Sequence, residues 1–109
     1  QLLNFFKKNM SVALMIDQRV SEGESIKLFN RYAKTTTIPS QLAKKYGCRI
    51  VPVYIERIED LNFKLSFYKP IKFDNNLSIK QMSLELNKIL EKMIQKNPAQ
   101  WIWSHGRWK

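Results

Sequence analysis

Runs of apolar residues along the chain predict three β-strands. Residues 12–16 are apolar throughout, which is typical of a strand that is buried on both faces. Residues 50–55 form a second, mostly apolar run, and apolar and polar residues alternate over residues 63–68, as in a half-buried strand. We expect residues 70–73 to continue the sheet after a bend.

Apolar residues at spacings of three and four predict the helices. The strongest pattern covers residues 79–93, where Ser78 and Gln81 form a capping-box signature and a proline follows the last turn. A shorter helix is predicted over residues 39–46, with a proline in its first turn and a glycine directly after it. Residues 1–9 have the pattern of a final helical stretch whose start is missing.

The order of these elements predicts the fold class. A strand at 12–16, a polar loop at 21–25, a helix at 39–46 and a strand at 50–55 indicate a crossover unit with parallel strands. We therefore predict an α/β fold with a partial mixed, mostly parallel sheet flanked by helices. With 109 residues, the chain holds one domain at most.

Charge indicates the kind of partner. The chain has 19 Lys and Arg against 9 Asp and Glu, a net charge of +10. Nucleic acid, acidic lipid, a phosphorylated substrate and an acidic protein all fit such a charge. The alternative is a solvated lysine-rich surface, which Lys88, Lys92 and Lys96 fit because they repeat every four residues on one helix face.

Composition excludes several kinds of site. A single cysteine and a single histidine exclude an internal disulfide, a Cys-based zinc cluster and a protein-only N/S metal site. Three widely separated glycines cannot build a Gly-rich phosphate loop. His105 has no carboxylate after it, so the residues alone complete no catalytic triad. The apolar run at 12–16 is far shorter than the roughly 20 residues that span a bilayer.

Asp17 is the best single site candidate. It directly follows the first predicted strand, and ligands of α/β sheets gather at the carboxyl ends of strands. A carboxylate there can orient a histidine, accept a hydrogen bond from a substrate hydroxyl or pair with an arginine. The alternative is a loop aspartate that caps local backbone amides.

The C-terminal segment holds all three tryptophans, Trp101, Trp103 and Trp108, together with Arg107 and Lys109. A metal site is excluded for lack of further ligands. The remaining interpretations are a binding tail, an anchor at a membrane interface and a segment packed against the core.

Several motifs in order give the chain a family resemblance. The segment Ala13-Leu14-Met15-Ile16-Asp17-Gln18 is similar to an apolar strand that ends in Asp-Gln. Further matches lie at 29–36, 38–53 and 97–109, the last reading Asn-Pro-Ala-Gln-Trp-Ile-Trp-Ser-His-Gly-Arg-Trp-Lys. Together they resemble the C-terminal half of the lipid A biosynthesis acyltransferases, the lauroyl/myristoyl transferase family of Gram-negative bacteria. Asn30 stands where that family has a glycine, and Gly106 where it has an arginine.

The resemblance implies an acyltransferase that moves a fatty acyl chain from acyl carrier protein to a hydroxyl of a lipid A precursor. The family's catalytic His-x4-acid motif is expected upstream of Gln1, together with a membrane helix. Residues 1–109 would then be the C-terminal portion of a single acyltransferase domain, inactive as a fragment. No cofactor and no metal are implied.

The resemblance also assigns roles to residues. Asp17 would support the missing catalytic pair. The substrate-binding candidates, for contacts to phosphates or backbone, are Gln18, Arg19, Arg31, Thr36 and Arg107. We expect Trp101 or Trp103 to pack on the core, and Arg107, Trp108 and Lys109 to lie near the membrane or the lipid substrate.

The implied partners are all anionic: acyl carrier protein, the lipid A precursor and the inner-membrane surface, on whose cytoplasmic face the protein would lie. The alternative is a non-catalytic basic module that binds anionic lipid or nucleic acid. Nucleic acid is not expected, because the aromatic residues are not spaced as a stacking platform.

Overall fold

A computed structural model describes residues 4, 8 and 10–109. In chain order it holds strands β1 (Glu24–Leu28) and β2 (Arg31–Thr35), helix α1 (Ile38–Tyr46), strands β3 (Val53–Glu59) and β4 (Asn62–Phe67), and helix α2 (Ile79–Lys96). Two short 3₁₀ turns follow, at Pro98–Gln100 and Trp103–His105. The helix predicted at residues 1–9 falls almost entirely outside the described residues.

Strands β1 and β2 form an antiparallel hairpin in a region where no strand was predicted. Its two-residue turn consists of Phe29 (φ 49°) and Asn30 (φ 59°), which are both left-handed, as in a type I′ turn. Asparagine tolerates this conformation better than most residues, so it can replace the family's glycine here. One face of the hairpin is buried and holds Ile26, Leu28, Ala33 and Thr35.

Strands β3 and β4 form a second antiparallel hairpin with a bulge between Arg57 and Glu59. The bridge Ile50–Ile71 prolongs it, so the predicted continuation at 70–73 is reduced to one residue pair. The prediction that β4 is half-buried through its apolar face is wrong for the described chain. Phe63, Leu65 and Phe67 are 51%, 53% and 70% exposed.

The predicted fold class is wrong. The described strands form two separate two-stranded antiparallel sheets, not one mostly parallel sheet flanked by helices. Tight turns at 29–30 and 60–61 let each strand pair with its neighbour in sequence, and such pairing needs no crossover. Residues 12–16 form no strand, because an apolar run becomes a strand only where another strand is beside it.

Both predicted helices between residues 10 and 109 are confirmed. In α1 the chain has a proline in the first turn, and Gly47 (φ 63°) ends the helix by donating its N–H to the Ala43 carbonyl. In α2 the Ser78 hydroxyl accepts from the Gln81 N–H at 3.2 Å, and the Gln81 side chain accepts from the Ser78 N–H at 2.8 Å. This reciprocal capping box fixes the start of α2.

Helix α2 carries the core, because one of its faces packs against β1 and α1. The buried residues of that face lie four apart: Met82, Leu86, Leu90 and Ile94. Burial of each contributes roughly 1.5–3 kcal/mol. Ser40 of α1 and Ser83 of α2 share a buried hydrogen bond of 2.7 Å. The helix therefore holds the β1–β2 hairpin in place beside the C-terminal segment.

Candidate functional site

A cleft with a volume of about 140 Å³ lies between the bend at residues 17–18 and the C-terminal segment. Its lining residues come from the two ends of the described chain: Asp17, Gln18, Trp101, Ile102, His105 and Arg107. Three of the six predicted site residues, Asp17, Gln18 and Arg107, therefore line one space. The Asp-Gln motif at residues 13–18 and the C-terminal motif at residues 97–109 thus meet at this cleft.

Arg107 is the most buried of these side chains, with 2% of its surface exposed. Its Nη1 donates to the Lys34 carbonyl, and its Nη2 donates to the Thr35 hydroxyl at 3.0 Å. Both acceptors belong to strand β2, so the guanidinium is fixed by the hairpin. Its Nε–H has no hydrogen-bond partner in the described chain.

Asp17 faces Arg107 without pairing with it. Burial lowers the pKa of Arg107, and the negative charge of Asp17 opposes that shift. The carboxylate nevertheless lies more than 4.0 Å from the guanidinium nitrogens. Among the described residues, the ion pair within that distance joins Lys88 to Glu85. Asp17 and Arg107 thus line the same cleft without forming an ion pair with each other.

The position of Asp17 depends on the residue before it. Ile16 packs against the core cluster and fixes the chain just ahead of the bend. Gln18 is exposed, and its amide contacts the sulfur of Met15 at 3.7 Å. The polar groups of residues 17 and 18 thereby lie at the edge of the core rather than inside it.

The three tryptophans and Phe29 form an aromatic cluster beside the cleft. Trp101 meets Trp103 and Trp108 edge-on, at ring-centroid distances of 4.6 and 5.8 Å. Trp103 and Trp108 stack at 6.3 Å. Trp101, Trp108 and Phe29 also pack against the core residues of β1 and α2. The prediction that Trp101 or Trp103 packs on the core is thus confirmed for Trp101.

The other predicted site residues lie outside the cleft lining. The guanidinium of Arg31 lies 5.6 Å above the Trp108 ring. The Thr36 hydroxyl accepts from the N–H of Ile38 at 3.4 Å, at the start of α1. Arg19 is exposed. The structure gives Arg31 and Thr36 contacts within the chain, and substrate contacts for all three stay predictions.

His105 lines the cleft, although the absence of a following carboxylate argued against a catalytic role for it. Asp17 lines the same cleft from the other end of the chain. Ile102 and His105 were missed as lining residues, and the only sequence signal for them was their place inside the matched C-terminal motif. The imidazole adds a polar group that can donate and accept hydrogen bonds.

The described residues form neither a metal-binding cluster nor a membrane-spanning helix. Within residues 4, 8 and 10–109 no cluster of three or more His, Cys, Asp or Glu side chains is arranged to hold a metal ion. No helix in the same part of the chain has both the length and the apolar character needed to cross a bilayer.

Comparison with known proteins gives the chain its family. The sequence model of the family described as bacterial lipid A biosynthesis acyltransferase matches residues 1–109. No curated protein matches the chain. The match covers all 109 residues and includes both motifs that meet at the cleft, so this chain belongs to the bacterial lipid A biosynthesis acyltransferase family.

Proposed function

We propose that this chain is the C-terminal portion of an enzyme that transfers a fatty acyl chain from acyl carrier protein to a hydroxyl of a lipid A precursor. An acyltransferase of lipid A biosynthesis, with an acyl donor and a lipid A precursor as acceptor, follows from the family match. The identity of the donor and a location at the cytoplasmic face of the inner membrane are part of the proposal.

The proposed reaction is acyl transfer from a thioester to an alcohol. A histidine, expected outside this chain with its acid partner, removes the proton of the acceptor hydroxyl. The alkoxide attacks the thioester carbonyl, and hydrogen-bond donors stabilise the tetrahedral oxyanion. Collapse of this intermediate forms the ester and releases the thiolate of the carrier, which takes up a proton.

The single observation that carries the proposal is the meeting of Asp17, Gln18 and Arg107 in one cleft. These residues come from the two matched motifs that are farthest apart in the sequence. We assign Asp17 the role of supporting the catalytic pair, and Gln18 and Arg107 that of holding the acceptor.

Charge supports the choice of partners. The net charge of +10 suits an acidic carrier protein, the phosphates of the lipid and an anionic bilayer. Helix α2 contributes the exposed side chains Lys88, Lys92 and Lys96. Lys88 is paired with Glu85, and Lys96 donates to the Tyr68 hydroxyl, so Lys92 has the most freedom to meet an anion.

The experiment uses the protein with its natural ends, produced in cells that lack their own copy. Asp17→Ala should lower acylation of lipid A, read by mass spectrometry, about tenfold or more, which equals about 1.4 kcal/mol of transition-state stabilisation. Asp60→Asn is the control, because Asp60 lies in the β3–β4 turn away from the cleft. Protein level is measured by immunoblot for each variant.

Unchanged acylation by Asp17→Ala at normal protein level would refute the role of Asp17. The donor is tested with the purified protein, which should use acyl carrier protein thioesters at least tenfold better than the matching coenzyme A thioesters. Binding to anionic liposomes without any acyl transfer would instead favour the non-catalytic basic module.

A further inference from the structure

Thr35 is buried where the segments that form the two walls of the cleft meet. It is 3% exposed and does not itself line the cleft. Its hydroxyl accepts from the Nη2 of Arg107 at 3.0 Å, and Arg107 belongs to the C-terminal wall. Its backbone packs against Gly23, which follows Gln18 of the other wall by five residues. One residue thus contacts the chain on both sides of the cleft.

The Thr35 hydroxyl uses all of its hydrogen-bonding capacity. A hydroxyl has one proton to donate and two lone pairs that accept. The proton goes to the Ala33 carbonyl at 3.1 Å, and the lone pairs accept from Arg107 and from the Nδ2 of Asn87 at 3.3 Å. Asn87 is fully buried and also donates to the Lys27 carbonyl at 2.9 Å. Helix α2 and strand β2 therefore fix the direction of the hydroxyl and, with it, the position of the Arg107 guanidinium.

The contact between Gly23 and the Thr35 backbone leaves no room for a side chain. A Cβ on Gly23 would lie 2.7 Å from the Thr35 carbonyl oxygen and 2.8 Å from the Thr35 nitrogen. Any larger residue must therefore push the two segments apart. The Gly23 N–H also donates to the Val20 carbonyl at 3.1 Å, in a turn shortly after residues 17–18. Gly23 thus sets how closely this part of the chain approaches strand β2.

We propose that Thr35 is a positioning residue for the acyl transfer, because it holds the C-terminal wall of the cleft through its hydroxyl and the segment after residues 17–18 through its backbone. This rests on the proposed function, since the spacing of the two walls is that required by the acceptor named there. Thr35 acts only through its neighbours. The matched motif at 29–36 contains two adjacent threonines, and the hydroxyl of the other one, Thr36, accepts from the start of α1 instead.

The test compares Thr35→Val with Thr35→Ser in the protein with its natural ends. Valine keeps the shape and removes the hydroxyl, whereas serine keeps the hydroxyl and loses a buried methyl group. Only valine leaves the donors of Arg107 and Asn87 without their acceptor. Thr35→Val should raise KM for the lipid acceptor about threefold to tenfold and leave KM for the acyl donor unchanged. Thr35→Ser should keep both KM values.

A second pair of variants acts on the same contact from the other side. Gly23→Ala forces the Thr35 backbone to move and should also raise the acceptor KM. Gly47→Ala is its matched control, because Gly47 has φ 63° and an added Cβ there meets open space, so alanine strains the end of α1 without touching Thr35. Thr37→Val is the control for loss of a threonine hydroxyl, since Thr37 bonds the exposed side chain of Gln41. Loss of folded protein lowers the maximal rate without changing KM, so both controls should keep the acceptor KM.

A further measurement does not depend on activity. Protein labelled with 5-fluorotryptophan gives a ¹⁹F signal for Trp101, which lines the cleft and is identified by the absence of its signal from Trp101→Phe. Thr35→Val and Gly23→Ala should move this signal, whereas Thr35→Ser and the two controls should leave it in place. If Thr35→Val does not fold, Thr35→Cys replaces it, because a thiol is only a weak acceptor.

The proposal is overturned if Thr35→Val keeps the acceptor KM, if Thr35→Ser raises it as much as Thr35→Val does, or if Gly47→Ala raises it as much as Gly23→Ala does. Its failure is distinguishable from failure of the proposed function. Acylation of lipid A with an unchanged acceptor KM in Thr35→Val refutes the positioning role alone. If the unmodified protein transfers no acyl chain, the proposed function fails, and the Trp101 signal then decides the positioning role: a signal that moves in Thr35→Val supports it, and an unmoved signal overturns it.

Discussion

Replacement of Arg107 by methionine should destabilise the chain by about 2 kcal/mol. Methionine keeps most of the buried stem but removes the hydrogen bonds to the Lys34 carbonyl and the Thr35 hydroxyl. Hydrogen bonds from a charged donor contribute about 1.5–3 kcal/mol each. Part of that loss is regained, because the variant no longer buries a cation that has no ion-pair partner. The Thr35 hydroxyl also keeps its bonds to Ala33 and Asn87.

The assay is reversible unfolding in urea followed by tryptophan fluorescence, since Trp101 and Trp108 pack on the core and report its loss. A change of 2 kcal/mol lowers the melting temperature of a domain near 100 residues by about 8–16 °C. Arg49→Met is the matched control, because Arg49 is exposed, and its free energy of unfolding should change by less than about 0.5 kcal/mol.

A double-mutant cycle with Thr35→Val isolates the contact itself. Valine matches threonine in shape and removes only the hydroxyl that accepts from Arg107. The two changes should be non-additive by about 0.5–3 kcal/mol. Strict additivity would show that Arg107 does not bind the Thr35 hydroxyl. Equal stability of Arg107→Met and Arg49→Met would show that Arg107 does not bind strand β2 at all and would refute the reasoning.

Three further predictions concern the packing around the site. Ser40→Ala should lower the free energy of unfolding in urea by about 1–3 kcal/mol, because it leaves the buried Ser83 hydroxyl without its partner. The double variant Ser40→Ala with Ser83→Ala should lose less stability than the two single variants added together. Asn30→Val should lower stability by about 1–2 kcal/mol in thermal unfolding because Asn30 has φ 59°, whereas Asn30→Gly should not lower it; equal effects would contradict the left-handed turn. The hydrogen bond to Tyr68 raises the pKa of Lys96 above its usual 10.5. The stability that this bond contributes is therefore fully present below pH 10.5 and should be lost as the pH rises through the raised pKa of Lys96. Melting temperatures measured over this pH range should fall less steeply for Tyr68→Phe than for the unmodified protein.

The helices could be predicted because their signals are local. The capping box of Ser78 and Gln81 and the left-handed stop at Gly47 each act within a few residues. The sheet could not be predicted in the same way. The β1–β2 turn contains Phe29 and Asn30 instead of the usual Asn-Gly signal, so its hairpin was missed although its apolar residues alternate.

The apolar face of the β3–β4 hairpin shows a second limit of local patterns. Alternation correctly predicts a strand near residues 62–67, and it predicts that one face is covered. Alternation cannot say what covers that face, and in the described chain Phe63, Leu65 and Phe67 remain exposed. The same holds for residues 12–16, whose apolar run predicts burial but carries no information about a neighbouring strand.

Half of the residues that line the cleft were site candidates from the sequence, but their arrangement was not predicted. Asp17, Gln18 and Arg107 were each identified from family motifs, yet their proximity depends on how the C-terminal segment folds back, which no local pattern encodes. Arg107 was expected near the membrane or the lipid, where it would meet anionic headgroups. Its two Nη atoms bind strand β2, and Arg107 also lines the cleft, so a contact of this residue with the lipid stays a prediction.

Side chains of the C-terminal segment donate hydrogen bonds to backbone carbonyls of the β1–β2 hairpin. The indole N–H of Trp108 donates to the Leu28 carbonyl at 3.1 Å, and Arg107 donates to the Lys34 carbonyl, so both strands of the hairpin are held. The aromatic and basic residues of this segment thus stabilise the fold and shape one wall of the cleft at the same time. A substitution in the segment that lowers acylation therefore reports on the site only when the free energy of unfolding of the same variant is unchanged.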